Sequence, residues 1–405
     1  MTFVPPVLSE VAIESIVTPA SKPGVLGNQW LLALAARIGA RLAAGRSGPF
    51  TIGKFVVFAR HEDVRAVLER DLDFRIASIN EARILEVNGA FVLGEDRGVT
   101  LAKERSALYR GLAAVPLQLV AAQVATLAEW HIAKADSGPF DVVRDYARPI
   151  ATEAAVKLFG VEGSSREALM EVARAVFAHT FLNIGNDEVI RRRAITASVQ
   201  MKDWIGREID RRIDADETGQ DLIGGMLALQ PKDPDRDLIR RTVGGMLVGS
   251  IDTTVTCVAK IMTVIGEDAD LAKAVVADLD RPDRLANWCW EALRRWPHNP
   301  ILLRSPVNDV QFGATIIAAG STVVLWTHAA MLDPSVFPDP ARLRPDRPAQ
   351  HYLHFGGGMH VCAGRAVNGF QIPILVGALL RRGIGKLGTM SWAGPFPDAL
   401  PVELT

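Results

Sequence analysis

Residues 355–364 read Phe355-Gly356-Gly357-Gly358-Met359-His360-Val361-Cys362-Ala363-Gly364, and no other ten residues constrain the architecture as tightly. Glycines let a backbone turn sharply and approach a flat partner without side-chain collisions. Cys362 comes just before an apolar stretch of helical character, about Ala363 to Leu380, in which Pro373 predicts a kink. The free N–H groups and the positive dipole end of a helix start stabilise a thiolate. Gly364 removes bulk where a large ring would press on the first turn.

Taken alone, these residues leave three other readings standing. A glycine triplet suits a phosphate loop, although no Lys-Ser/Thr pair follows it. Cys362 also suits a redox or nucleophilic cysteine, although no partner cysteine or triad surrounds it. Finally, a lone cysteine is often a small buried hydrophobe, the reading that fits Cys257 and Cys289. Three cysteines cannot form a fully paired disulfide framework, and none sits in a zinc spacing.

Working outward, the 405 residues are 49% hydrophobic and 22% charged, the balance of a globular chain with a large core. A formal net charge of -1 gives no basic face for nucleic acid, so none is expected as a partner. Met1 to Ser15 lacks the basic-then-apolar order of a secretory signal, and Arg37 and Arg41 interrupt the apolar run Trp30 to Ala44. Gly244 to Ile265 is long enough to span a bilayer but contains Asp252 and Lys260, so a buried helix is the better reading. No membrane is expected, and the chain is expected in the cytoplasm.

Helical periodicity dominates the first two thirds, at Gln29 to Ala44, Thr100 to Gly111, Val120 to Lys134, Arg166 to Phe181, Asp187 to Ile213 and Asp237 to Ile265. Strand-like runs occur at Phe50 to Ala59, Val310 to Ile317 and Thr322 to Trp326; Gly313 and Gly320 punctuate the last two like a hairpin. Four prolines between Phe337 and Pro348 predict an ordered meander. The expected fold is mainly α with small β-sheets, a single domain over residues 1–405, since no composition shift marks a boundary.

The loop resembles the cytochrome P450 superfamily, whose corresponding segment reads Phe-Gly-x-Gly-x-His/Arg-x-Cys-x-Gly. Phe355, Gly356, Gly358, His360, Cys362 and Gly364 match all six specified positions. The resemblance implies haem b (iron protoporphyrin IX) held between the long central helix and the Cys-loop helix. Cys362 would be the axial metal ligand and His360 a propionate contact, with Phe355, Gly356 and Gly364 shaping the cofactor seat. An iron held by thiolate receives electron density that favours O–O cleavage.

Other segments extend the resemblance. Glu291-Ala292-Leu293-Arg294 sets an acid and a base three apart on one helix face, a common pattern in itself. Its place before the Cys loop resembles the family's Glu-x-x-Arg element, with Arg347 of the meander as third member of a structural ion network. Arg304 is by resemblance a propionate ligand, as a guanidinium suits a carboxylate. Gly249-Ser250-Ile251-Asp252-Thr253-Thr254 puts a charge and hydroxyls in an apolar helix. Two plain readings are back-bonding to the preceding turn and pairing of Asp252 with a buried base. The resemblance implies instead an oxygen-activating element: Gly249 makes room, Thr253 bonds the bound oxygen and Asp252 relays protons.

Departures are equally specific. The family's His-x-x-x-Arg appears here as Leu101-Ala102-Lys103-Glu104-Arg105, which keeps Arg105 as a propionate contact and suggests Arg97 as a substitute for the lost histidine. Val367-Asn368-Gly369-Phe370-Gln371 replaces Leu-Ala-Arg-x-Glu, and the segment 329–333 lacks the frequent Asn-Arg. The implied activity is a monooxygenase that uses dioxygen and a ferredoxin- or flavodoxin-type electron donor on an apolar small molecule. Val248, Ile301, Leu302 and Leu303 are the expected substrate walls. A peroxide-driven peroxygenase and a non-catalytic haem sensor are the alternatives.

Overall fold

The computed structural model describes residues 38–135 and 139–405. The expected helix from Gln29 lies mostly outside them; its described part, 38–43, is helical. Among the described residues fourteen α-helices follow, of which the first half of the chain carries α1 (His61–Glu69), α2 (Ala77–Val87), α3 (Val99–Ala113), α4 (Leu117–Ala133), α5 (Arg148–Phe159), α6 (Arg166–Phe177) and α7 (Glu188–Asp214). The second half carries α8 (Leu222–Leu229), α9 (Arg236–Val248), α10 (Ile251–Gly266), α11 (Ala269–Val276), α12 (Pro282–Arg295), α13 (Thr327–Ala330) and α14 (Arg365–Arg382). Helix accounts for 57% of the structure, so the mainly α expectation holds.

Local chemistry starts several of these helices. Ser165, Asp187, Asp221, Asp235 and Asp268 each accept hydrogen bonds from first-turn N–H groups, offsetting donors that have no intrahelical partner. Gly160 ends α5 in the left-handed conformation (φ 76°). Helices α4, α5, α9, α10, α12 and α14 contribute to the largest core cluster, with Val124, Ala155, Val243, Val258, Ala292 and Val376 all buried in it.

The sequence expectation of one helix over 237–265 is corrected by a break at Gly249 and Ser250, between α9 and α10. There the Ser250 N–H bonds Leu247 O at 3.2 Å, an i→i+3 contact that tightens the turn. Arg236–Gly266 is apolar enough by composition to cross a membrane, but 72% of its most apolar window is buried inside the protein, as in a core helix.

The main sheet has the order β1 (Phe50–Ile52), β2 (Phe55–Phe58), β8 (Thr322–Leu325), β5 (Leu302–Pro306) and β3 (Phe74–Arg75). β2 runs parallel to β8, with Val57 opposite Val324, and β5 is antiparallel to β8. This corrects the expected hairpin. β6 (Val310–Phe312) and β7 (Thr315–Ile317) pair with each other around Gly313 at φ 58°, while Thr322–Leu325 leaves to join the main sheet. The apolar alternation of 322–325 is satisfied there, because Val323 and Leu325 are fully buried against Phe58 and Phe74.

The meander and α12 are joined by a buried ionic knot. Glu291 accepts from Arg294 Nε and Nη2 at 2.8 and 2.9 Å, from Arg347 Nε at 3.3 Å and from Tyr352 Oη at 2.8 Å. Arg294 also donates to the carbonyls of Met331, Pro340 and Arg342, and Arg347 to those of Pro338, Asp339 and Arg342. A desolvated pair survives only when its remaining donors and acceptors are satisfied, and here they are. The knot hands the chain directly to the 355–364 loop.

Candidate active site

Two glycines make the loop possible. Gly358 has φ 63°, and a Cβ there would lie 2.0 Å from Leu68 O, so the loop can touch α1 only without a side chain. Gly356, at φ 70°, turns the chain after Phe355. The Cys362 N–H then bonds Phe355 O at 2.9 Å, which closes the loop and delivers Cys362 ahead of α14.

Cys362 has open surface, yet burial pushes its thiol up, because the surface faces the interior. The backbone N–H groups of Gly364 and Arg365, at the start of α14, pull in the opposite direction, toward thiolate. Across from it, the stretch where α9 gives way to α10 carries a run of residues with open surface, Gly245, Met246, Gly249, Ser250, Thr253 and Cys257, at helical spacing. A Cβ on Gly249 would meet nothing closer than 3.8 Å, so its outer side is open. Cys257 feels the charge of Cys362, and Thr254 Oγ1 donates to Asn368 Oδ1 at 3.1 Å. The stripe and the loop therefore face each other across an interior slot.

At one edge of the slot stands Arg304. It is 5% exposed and, among the described residues, forms no ion pair; its Nη1 donates to the neighbouring carbonyl of Leu303 at 2.7 Å. Burial brings it down to about 10. His360 is brought down to about 4, first by burial and then by Arg304, with Arg105 adding to the effect. An uncompensated buried guanidinium beside a neutral histidine fits a carboxylate-bearing guest. Thiolate donor, open glycine stripe and orphan cation together suit a flat metal-bearing ring with acidic side arms.

The substituted positions behave differently. Leu101 is buried and apolar, and Arg105 lies over the Tyr109 ring at 5.1 Å. Arg97 is not free to replace the missing histidine as expected: it grips Asp71 with Nε and Nη2 at 2.7 and 2.9 Å. Asn368, a departure after the Cys loop, supplies the Thr254 contact. Asp252 pairs with Arg174 through both oxygens, and Thr253 Oγ1 donates to Gly249 O at 2.7 Å, so both plain readings of that segment hold geometrically.

The expected substrate walls are brought together only in part. Val248 lines a small apolar cavity with Ile84, Phe91, Val176 and Phe181, none of which the sequence singled out. Ile301, Leu302 and Leu303 do not line it; Leu302 instead packs with the sheet-side cluster and stands near Gly356. A concavity of about 470 Å³ is lined by Arg65, Trp290, His354, Phe355 and Arg365 among others and by no residue of α9 or α10, so it is separate from the slot.

Fold and slot together describe a helical protein that presents one cysteine to an interior, carboxylate-accepting cleft. The family model for Cytochrome P450 matches residues 173–382, just over half of the 405 residues, and the chain belongs to the cytochrome P450 family. Cytochrome P450 monooxygenase PikC of Streptomyces venezuelae is 29% identical over 252 residues, 61% of this chain and 57% of that protein. Mycinamicin IV hydroxylase/epoxidase of Micromonospora griseorubida is 27% identical over 250 residues, 60% of this chain and 59% of that protein. The matched stretch thus spans less than two thirds of these curated relatives. The crystal structure of CalO2 shares the fold at TM-score 0.76 and 24% identity, covering 93% of this chain and 96% of that one. P450BioI, solved with a ligated acyl carrier protein, gives TM-score 0.78 at 19% identity, covering 94% and 99%. Haem b is the cofactor of the family.

Proposed function

We propose that the chain is one haem-thiolate domain, a monooxygenase that uses dioxygen and externally supplied electrons to oxidise an apolar small molecule. The observation that carries this is Cys362, delivered by the closed loop to the start of α14 with its side chain open to the slot opposite Gly249 and Thr253. Relatives named as hydroxylases and epoxidases add support. Cys362 would ligate the iron; Arg304, His360 and Arg105 would take the propionates; Phe355, Gly356, Gly364 and Gly249 would leave room for the ring. Thiolate-ligated haem supplies dioxygen activation and O–O cleavage.

The chain's own groups manage position and protons. Thr253 commits its hydroxyl proton to Gly249 O, which leaves its oxygen as a hydrogen-bond acceptor toward the slot. Asp252, one residue earlier, brings a carboxylate to the same turn, and transfer of a proton through it requires its bond to Arg174 to loosen. Glu291, Arg294 and Arg347 hold the meander that carries the loop and take no chemical part. An electron donor of ferredoxin or flavodoxin type would dock on the concavity behind the loop, where Arg65 and Arg365 stand. We place the protein in the cytoplasm, in keeping with its bacterial relatives. The acid–alcohol pair favours this reading over a peroxygenase.

The test is the absorption spectrum of the reduced, carbon-monoxide-bound protein. A red-shifted thiolate-type band that disappears in Cys362→Ala is expected. A colourless protein after haem supplementation, or a band unchanged in that variant, sinks the proposal.

A further inference from the structure

The segment 298–304 runs along one border of the slot. At its end, Arg304 lies beside His360, and Leu302 stands 3.6 Å from where a Cβ on Gly356 would be. At its start, the His298 ring lies 6.4 Å from that of Phe177, which meets Phe181 at 5.0 Å and Phe396 at 6.0 Å. Arg174, the partner of Asp252, covers the same Phe396 ring. His298 therefore sits among phenylalanines on the side of α10 that carries Asp252, one residue before Thr253.

Other interior histidines are partnered. His61 Nε2 meets His351 O at 2.8 Å, His354 Nε2 meets Trp290 O at 2.9 Å, and His179 meets Glu86 and Asn183 at 2.9 and 3.1 Å. His298 Nδ1 is buried and has no partner among the described residues, an uncommon state for a polar atom. The residue nevertheless keeps open surface, while burial brings its ring down to about 3, with the Lys260 charge adding to the effect. As at Cys362, that combination marks surface that faces the interior. Lys260 also decides which nitrogen holds the proton. Its Nζ donates to Pro297 O at 2.7 Å, next to the His298 backbone, and Nδ1 is the ring nitrogen nearer that backbone. The lone pair is therefore assigned to Nδ1, toward the ammonium charge, and the proton to Nε2.

We propose that His298 determines specificity: its Nε2–H faces the slot and donates a hydrogen bond to a neutral oxygen acceptor, a carbonyl or ether, on an otherwise apolar substrate. This rests on the monooxygenase reading above. A neutral donor among Phe177 and Phe396 suits a neutral acceptor, since each supplies what the other loses on leaving water. An anionic group is not the match, because burial and Lys260 both oppose a charge on the ring that would hold it. The bond fixes the oxygen end of the molecule on the Phe396 side, and the carbon skeleton extends from there toward Thr253 and Gly249. The anchored oxygen thus sets which carbon meets the reacting centre.

The test uses 2-adamantanone and adamantane as probes, titrated into the haem-loaded protein and followed by the Soret shift, with the infrared carbonyl stretch of the bound ketone as a second readout. The parent is expected to bind the ketone about ten-fold more tightly than the hydrocarbon, the worth of one hydrogen bond, and to lower its stretch below the value in hexane. His298→Gln offers a donor near the same place and should keep both effects. His298→Leu should bring the affinity ratio to about one and return the stretch to its hexane value. A parent without ketone preference, or a ratio and stretch unchanged in His298→Leu, would overturn the assignment. Should His298→Leu fail to fold, the parent stretch decides: a lowered value kept by His298→Gln supports the bond, and a value equal to that in hexane overturns it. Loss of the carbon-monoxide band in the parent would overturn the haem reading itself; a normal band with an unshifted stretch removes His298 alone.

Discussion

Arg174 holds Asp252 by both carboxylate oxygens, from Nη2 at 2.6 Å and from Nε at 2.9 Å. The pair is well walled in: Arg174 also meets Glu171 at 3.3 Å and lies over the Phe396 ring at 5.2 Å, and Asp252 is 4% exposed. A carboxylate so placed is kept from straying into the slot, and it can carry protons only by exchanging its partner. Asp252→Asn retains the shape but removes the exchangeable charge. Turnover should fall about 100-fold, within the usual range for a lost acid–base group, while the carbon-monoxide spectrum stays intact. Equal turnover in the variant would remove Asp252 from the proton path.

Thr253 offers a sharper test, because its proton is engaged by Gly249 O. Thr253→Ser preserves an acceptor oxygen and should keep product formation tied to electron consumption. Thr253→Val removes it, and electrons should then appear as hydrogen peroxide in place of product. Measuring product and peroxide per reducing equivalent separates the two variants, and identical coupling in both would show that the oxygen atom is unused.

The readability of this site from sequence followed the range of the interactions. The Cys loop was legible because its signal is local: Gly358 and Gly356 answer to backbone geometry, and Cys362 to the helix that follows it. Asp252 announced itself as a charge in an apolar helix, but Arg174 lies 78 residues away and carries no local mark. The same limit explains the strand error. Thr322–Leu325 has ordinary hairpin punctuation before it, and only the parallel register with Phe55–Phe58, far earlier in the chain, diverts it. Phe91 and Phe181 read as generic core, since nothing in their own neighbourhoods says that they meet across Gly245 and Val248.

Removing Glu291 should be severe for a stated reason. Glu291→Ala leaves Arg294 and Arg347 buried with their charges uncompensated and strands the Tyr352 hydroxyl. Breaking one partner out of such a buried set costs about 3–5 kcal/mol. Denaturant unfolding should show that loss in the midpoint, and a loss under about 1 kcal/mol would mean that water reaches the knot.

Arg304 should report opposite effects in the two loading states. Without a carboxylate guest its buried charge is a liability, so Arg304→Leu should leave the haem-free protein as stable as the parent or more so. With haem loaded, the same variant should release the cofactor faster, read as transfer to excess apomyoglobin. Unchanged release would place the propionates elsewhere.

Lys260 supplies the pH test. It is buried in α10, donates to Pro297 O at 2.7 Å and lies beside Trp296 and Trp392, at 5.3 and 5.9 Å from their rings. Burial lowers it from 10.5 to about 8. The unfolded chain therefore binds more protons between those two values, and stability rises with pH across that window through this group. Below pH 8 the charged amine is carried into the core at a cost of up to about 3 kcal/mol, which disappears progressively as pH climbs. Lys260→Met should remove the slope and narrow the gap to the parent as pH approaches 10.5. Unfolding midpoints of parent and variant at pH 7 and pH 10 decide it: a difference that does not change with pH would mean that Lys260 keeps its ordinary affinity for protons, held in charged form by the two indole faces.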